Sequence, residues 1–202
     1  MRSEGPVQLA GNSNDFNNSI GPSARTKRAP QDDNRVYNSP VMSFLRFLML
    51  LSLVVWIGGL IFFAFVLAPT AFQVLADTHL AGNVVGRALG KLHWMAIFAS
   101  VIFLICSLVY SHTLDGSAHP LAMRNVLIVL MLALTLFSQF WIIPRMDVLR
   151  AQVGDFAKVT LDNPARVQFD ALHVWSTRVE GAVLLLGLVA VYLTASVFAR
   201  TR

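Results

Sequence analysis

The sequence contains four long stretches without a single Asp, Glu, Lys or Arg: Phe47 to Ala76, Leu92 to Leu114, Asn125 to Pro144, and Gly181 to Ala199. About 20 helical residues, rising about 1.5 Å each, cross a bilayer core of about 30 Å, so each stretch is long enough to span a membrane. Backbone groups in lipid must be satisfied internally, and none of the stretches alternates like a barrel strand. We therefore predict an all-α polytopic membrane protein, a four-transmembrane-helix bundle.

The composition agrees with a chain that lives in lipid. Apolar residues make up 55% and charged residues 13% of the 202 residues, and the mean hydropathy is +0.60. The net charge of +5 is spread along the chain without interleaved aromatic residues, which gives no nucleic-acid surface. The expected partners are the lipid bilayer, with anionic headgroups as counter-charge, and a membrane protein or a second copy of the chain. A lone cysteine, Cys106, excludes an internal disulfide.

The chain divides into a tail and a membrane domain. Residues 1–40 are rich in Asn, Ser, Gly, Pro and Arg, and we predict a disordered polar and basic tail. Residues 44–199 form the transmembrane domain, with spans at about 47–69, 92–112, 124–144 and 178–199.

Several residues predict where the helices begin and end. Pro69 is expected to kink or end the first helix, and Gly82 and Gly86 to weaken the segment after it. Asn163 followed by Pro164 is typical of an N-cap and a first helical residue, so the fourth helix is expected to begin well before its apolar part.

The orientation follows from the basic residues. Four spans put both ends of the chain on one side, with nine Lys and Arg residues against seven on the other. Because these two numbers are nearly equal, the orientation is inferred from the basic tail, which resists translocation across the membrane. We expect a bacterial inner-membrane protein with cytoplasmic termini.

Polar residues of three spans fall at the membrane face opposite the termini. His173, Ser176 and Glu180 follow a helical spacing that puts them on one stripe of the fourth helix. The third span carries Gln139 and ends at Arg145, and the second begins with His93. The interpretation that these side chains favour is a polar pocket between helices, lined by His93, Gln139, Arg145, His173, Ser176 and Glu180.

Each of these residues also has a simpler explanation. Arg145 and Glu180 lie close enough to the interface to reach headgroups, and Gln139 is suited to a hydrogen bond between helices. His93 and His173 are the candidate metal ligands, although the sequence has no H-E-x-x-H, C-x-x-C or Glu-x-x-His spacing. It also has no nucleophile elbow and no carboxylate pair in a span, so we assign no catalytic residue and favour a protein without enzymatic activity.

Three motifs together resemble a known family. They are the W-x-G-G-x-x-F-F-x-F-x-x-x-P run from Trp56 to Pro69, the W-x-x-P-R-M exit of the third span at Trp141 to Met146, and L-H-x-x-S at Leu172 to Ser176. In order and spacing they resemble the transmembrane protein 205-like family, the domain of unknown function 4149. The resemblance covers about residues 44–199 and implies a four-span bundle of unestablished biochemical activity, with a loose association with metal-drug resistance in animal members.

The first-span pattern is more distantly similar to the CopD and HemJ-type membrane proteins, a resemblance that implies copper or haem. This chain has no histidine in its first or third span, which argues against paired axial ligation deep in the bundle. Three functions are therefore open. The protein binds or moves a small ligand or metal through the polar pocket, it is a structural or partner-binding membrane subunit, or it is a haem- or copper-associated redox protein. An enzyme of lipid or tetrapyrrole chemistry is a weaker fourth.

Overall fold

The computed structural model describes residues 39–117, 119–154, 156 and 158–200. The predicted disordered tail lies outside these residues except for its last two positions. The described chain forms four long helices: α1 (Pro40–Val74), α2 (Thr78–Asp115), α3 (Met123–Val153) and α4 (Pro164–Arg200). The predicted all-α four-helix fold is confirmed. Every helix is longer than the span predicted within it, because each continues past the membrane-spanning apolar stretch.

Local sequence explains where the helices begin and end. Ser39, Asp77 and Asn163 cap α1, α2 and α4 by accepting hydrogen bonds from backbone N–H groups of the first turn. The predicted Asn163 cap is thus confirmed. Gly116 and Gly154 follow α2 and α3 with φ of 70° and 67°, a conformation that suits glycine after a helix.

The helices are arranged as an up-down-up-down ring. α1 packs against α2 and α4, and α3 packs against the same two helices from the opposite side. The core comes from regularly spaced apolar residues, for example Leu53, Trp56, Ile57 and Leu60 of α1. Gly187 of α4 lies so close to Ile57 that a Cβ there would overlap the Ile57 side chain. Small residues allow such close approach between membrane helices.

Both α1 and α3 contain a π-helical turn, at Phe63–Leu67 and at Ser138–Ile142. The same pattern, F-x-x-F-x-x-x-P, covers both turns, from Phe62 to Pro69 and from Phe137 to Pro144. A proline ring clashes with the carbonyl four residues earlier in a regular helix, and a wider turn moves that carbonyl away. The prediction that Pro69 kinks or ends the first helix is therefore only half right, since the π turn lets α1 continue to Val74. Gly82 and Gly86 likewise lie inside continuous α2.

The outside of the bundle is strongly apolar. All four helices are long and apolar enough to cross a membrane, and large side chains such as Phe65, Phe98, Phe140 and Leu185 are more than half exposed. A surface of this kind is stable only against lipid. The chain is an integral membrane protein.

Candidate functional site

A buried histidine joins three helices near the end of the bundle opposite the chain termini. His93 of α2 is 2% exposed. Its Nδ1 lies 3.0 Å from Gln139 Oε1 on α3, and its Nε2 lies 2.8 Å from Glu180 Oε1 on α4. Ser138 donates a further hydrogen bond of 3.1 Å to the same carboxylate oxygen. These hydrogen bonds join four polar side chains into one network inside the bundle, which we call the His93 cluster: His93, Ser138, Gln139 and Glu180.

Two consecutive residues at the start of the π turn of α3 bond to two different helices. Neighbouring side chains on a helix point about 100° apart, so Ser138 and Gln139 face different neighbours. Ser138 reaches Glu180 of α4 and Gln139 reaches His93 of α2, and the contact between Glu180 and His93 joins them into one cluster. Such turns recur at functional sites of other proteins.

The His93 ring has two alternative proton arrangements. A neutral imidazole carries one N–H, yet both ring nitrogens face oxygen atoms. Either the ring is an imidazolium that donates to both oxygens, or the Gln139 amide is rotated so that its nitrogen donates to Nδ1. The two arrangements differ by one proton and by a half-turn of one amide. The cluster therefore accepts either charge state of His93 without losing a hydrogen bond.

Beside the cluster a cleft of about 640 Å³ lies between the C-terminal part of α1 and the N-terminal part of α4, with α2 and α3 behind it. Its walls are mainly apolar and include Phe63, Phe65 and Phe72. Glu180 lies in the wall of this cleft. In the described part of the chain no donor reaches Glu180 Oε2, so that oxygen is available to a molecule in the cleft.

The two π turns build opposite kinds of wall. In the shared pattern, Phe63 and Ala64 of α1 occupy the positions that Ser138 and Gln139 occupy in α3. The α1 residues line the cleft, whereas the α3 residues hold the His93 cluster. A π turn therefore contributes apolar residues to the cleft wall in α1, whereas in α3 it contributes polar residues that hydrogen-bond to His93 and Glu180.

A second, smaller cavity of about 440 Å³ lies between α2 and α3, and we call it the vestibule. His79, Arg87, Gly90 and Arg150 are among the residues that line it. Gly90 brings it close to the His93 cluster, since a Cβ at Gly90 would lie 4.0 Å from Gln139 Oε1.

Arg150 lines both cavities. Its guanidinium bonds Asp147 at 2.9 Å, packs over the Phe169 ring and lies 3.1 Å from where a Cβ of Gly86 would be. Glycine at position 86 is therefore what leaves room for this arginine.

The predicted pocket residues are not all brought together. His93, Gln139 and Glu180 are in direct contact, while Ser176 and His173 line the cleft without touching them in any hydrogen bond that the structure describes. His173 is exposed and its ring stacks parallel to Phe169.

Arg145 lies outside the cleft. Its guanidinium packs 3.8 Å from the centre of the exposed Trp141 ring, the position of a side chain at the lipid interface. The sequence interpretation that put Arg145 in the pocket differs from this arrangement, because the π turn before it changes which face of α3 it occupies.

Sequence reasoning missed a second polar cluster at the terminal end of the bundle. Arg124, 8% exposed, donates to Ser107 Oγ at 3.0 Å, and Ser107 donates to Asn125 Oδ1 at 2.7 Å. Arg46 and Arg124 both lie within 6 Å of the Tyr110 ring. The signal was available, since Arg124 directly precedes the third uncharged stretch and Asn125 begins it. These hydrogen bonds connect α2 to α3, so a structural role is sufficient to explain this cluster.

The residues fit a metal or haem poorly. Within the described ranges no three His, Cys, Asp or Glu side chains come together as a metal site. Both nitrogens of His93 already have hydrogen-bond partners, and Glu180 accepts two bonds through Oε1. A metal ion would need at least one of these bonds to break.

Comparison with known proteins gives one match. The family model described as domain of unknown function (DUF4149) matches residues 51–154, from the middle of α1 to just past the end of α3. No curated protein and no solved structure matches significantly. Since the family model covers half of the chain, the protein belongs to the DUF4149 family.

Proposed function

We propose that the protein binds a small amphipathic molecule in the cleft, with the apolar body against α1 and the polar head at Glu180. The observation that carries the proposal is a carboxylate, held by His93 and Ser138, at the wall of a mainly apolar cleft of about 640 Å³. Ligand sites in proteins commonly combine apolar walls with a few positioned polar groups in cavities of this size.

The apolar wall supports the body of such a ligand. Phe65 and Phe72 are 70% and 50% exposed and line the cleft. Aromatic side chains that are exposed beside a cleft gain contact area when a ligand covers them. A ligand body that packs here loses its contact with water or lipid without disturbing the core.

Glu180 supports the head. Its Oε1 is occupied by His93 and Ser138, while Oε2 lacks a donor among the described residues. A donor or a positive charge from a ligand would complete this carboxylate. The His93 cluster costs the bundle apolar packing at a depth where polar groups are expensive, which favours a functional role.

The competing function is a structural or partner-binding subunit, in which the His93 cluster only ties α2, α3 and α4 together. This explanation accounts for the hydrogen bonds but leaves the cleft without a purpose. The haem or copper version gains no support from the geometry, since both nitrogens of His93 already have hydrogen-bond partners and His93 is not grouped with a second histidine among the described residues. Neither this version nor a relation to transmembrane protein 205-like or CopD and HemJ-type proteins is needed for the proposal.

Filling the cleft tests the proposal. Gly181 lines the cleft and a Cβ there meets nothing within 4 Å, so Gly181→Phe adds a ring at the cleft wall from an open backbone position. Gly58 has equally open surroundings on α1 but does not line the cleft, and Gly58→Phe is the matched control. The probes are para-butylbenzyl alcohol and para-butylbenzyltrimethylammonium, titrated calorimetrically into detergent-purified protein.

We expect at least one probe to bind wild type and Gly58→Phe equally, and Gly181→Phe to bind it at least about tenfold more weakly. Absence of binding by both probes, or equal binding by Gly181→Phe, would overturn the proposal in favour of the structural subunit.

The proposal includes an orientation, in a bacterial inner membrane with cytoplasmic termini, so that the cleft opens to the periplasm. Ser117 and Thr160 are exposed at opposite ends of the bundle. In a chain whose Cys106 is replaced by Ala, a membrane-impermeant thiol reagent should label Thr160→Cys in intact cells and Ser117→Cys only after permeabilisation. The reverse pattern would invert the orientation while leaving the cleft proposal intact.

A further inference from the structure

We propose that the cleft takes a monovalent organic cation and that His93 releases one proton to the vestibule for each cation bound at Glu180. This inference rests on the proposed function and names the class of ligand and the coupling at the same site. It is carried by one juxtaposition: the ring of His93 lies between a carboxylate that faces the cleft and an amide that lies beside the vestibule.

The His93 cluster contains one acid, Glu180, and one base, His93. Among the residues that the structure describes, Glu180 is the only acid in contact with His93, and Gln139 and Ser138 are uncharged. With the imidazolium form of His93 the pair carries no net charge. A net charge at this depth is costly, because the surroundings are of low dielectric.

A bound cation changes the net charge of the His93 and Glu180 pair. A cation beside Glu180 Oε2 would give the imidazolium form a net positive charge. Loss of the proton from His93 Nδ1 restores a net charge of zero, because the cation then neutralises the carboxylate. Nε2–H still donates to Glu180, and the Gln139 amide rotates so that its nitrogen donates to the lone pair left on Nδ1. One N–H bond breaks, water receives the proton, and no buried group loses its partner.

The route of the proton runs through the vestibule. Nδ1 faces Gln139, and Gly90 leaves the vestibule within reach of that amide, since even a Cβ there would be 4.0 Å from Oε1. The cation occupies the cleft, on the Glu180 side of the ring. Proton and cation therefore reach His93 from different cavities, and the Arg150 and Asp147 pair lines both.

Other titratable groups line the two cavities and must be distinguished from His93. They are His79, Arg87, Asp147, Arg150 and His173. Asp147 and Arg150 neutralise each other at 2.9 Å. His79 and His173 are the other imidazoles at the two cavities. Neither shares a hydrogen bond with Glu180 in the described chain.

The test counts protons in the wild-type protein. Titration of para-butylbenzyltrimethylammonium, which has no proton to lose, is carried out in two buffers of different ionisation enthalpy between about pH 5 and 8. We expect about one proton released per cation at low pH, and an apparent Kd that falls about tenfold per pH unit until His93 is neutral before binding. The neutral para-butylbenzyl alcohol should release none and show no such slope.

Substitutions assign the proton and the charge. His93→Gln keeps hydrogen-bonding groups but has no exchangeable charge, so it should bind the ammonium probe without proton release or pH dependence. His112→Gln, on the exposed terminal end of α2, is the control and should release the proton as wild type does. Glu180→Gln should weaken the ammonium probe by about ten- to a hundredfold, equivalent to about 1.4 to 2.7 kcal/mol, and weaken the alcohol less, because the amide oxygen still accepts a hydrogen bond but carries no charge.

The outcomes separate this inference from the proposed function. If neither probe binds, the proposed function fails. If both probes bind wild type without proton release, or if proton release is lost in His79→Gln or His173→Gln while His93→Gln retains it, the cation-for-proton exchange is wrong and the cleft remains a ligand site. If His93→Gln does not fold, the wild-type proton count is read together with His79→Gln and His173→Gln: release retained in both supports the exchange, and release lost in either overturns it.

Discussion

The close contact of α1 and α4 at Gly187 closes the bundle below the cleft, and adding one methyl group there tests this packing. A Cβ at Gly187 would overlap Ile57 Cδ1, come within 3.0 Å of Ile57 Cγ1 and within 3.2 Å of Met131 Cε. Overpacking of a well-packed core costs about 1 to 3 kcal/mol. We expect Gly187→Ala to lower the free energy of unfolding by that amount, measured by equilibrium unfolding in mixed detergent micelles.

Ile57→Val removes the one atom that the new methyl group overlaps, since valine has no Cδ1. Alone it should cost about 0.5 to 1.5 kcal/mol. In the double variant the overlap is gone. Its loss of unfolding free energy should therefore be smaller than the sum of the losses in the two single variants by about 1 kcal/mol or more. Gly181→Ala is the control on the same helix, because a Cβ there meets nothing within 4 Å, and it should combine additively with Ile57→Val. Additivity of Gly187→Ala and Ile57→Val within about 0.3 to 0.5 kcal/mol would refute the contact.

Two further predictions concern the His93 cluster and the vestibule. Gln139→Leu leaves a buried nitrogen of His93 without a partner and should lower the free energy of unfolding by about 1 to 3 kcal/mol in the same assay; a neutral result would mean that water replaces the amide. Arg150→Ala removes a side chain that lines both the cleft and the vestibule. A water-soluble thiol reagent should therefore label Gly90→Cys several-fold faster in the Arg150→Ala variant than in its absence. An unchanged rate would show that another group limits access of the reagent to position 90.

The helical part of the fold follows from the sequence because it depends on two simple constraints. Uncharged stretches of sufficient length predict helices in lipid, and short polar residues such as Asn163 predict where a helix begins. The stripe on the fourth helix also followed from spacing, since His173, Ser176 and Glu180 all line the cleft.

Spacing failed where the helix is not regular. The π turn at Ser138–Ile142 shifts the residues after it around the helix, and Arg145 packs on Trp141 instead of lining the pocket. Proline alone suggests a break, and only the surrounding structure decides between an end and a wider turn. The F-x-x-F-x-x-x-P pattern, which accompanies both π turns here, is the signal that a sequence reader could have used.

The sequence indicated a hydrogen bond between helices for Gln139, but the partners within the site could not be predicted. Depth in the membrane predicted that His93 and Glu180 share one face, but not that they would meet at 2.8 Å. The cleft itself depends on α1 and α4 diverging above Gly187, which no residue pattern indicates. The terminal-end cluster around Arg124 was missed because an arginine at the edge of an apolar stretch ordinarily reaches headgroups.

The central claim is that the cleft holds a ligand whose head lies at Glu180, and photolabelling tests it most directly. The probe is a para-butylbenzyltrimethylammonium analogue with a diazirine on its butyl chain, irradiated with the protein in lipid bilayers and located by mass spectrometry. The account predicts labelling of cleft residues such as Phe65 and Phe72, suppressed by excess unlabelled probe and absent in Gly181→Phe. Labelling spread over lipid-facing residues such as Phe98, without suppression by the unlabelled probe, would contradict it.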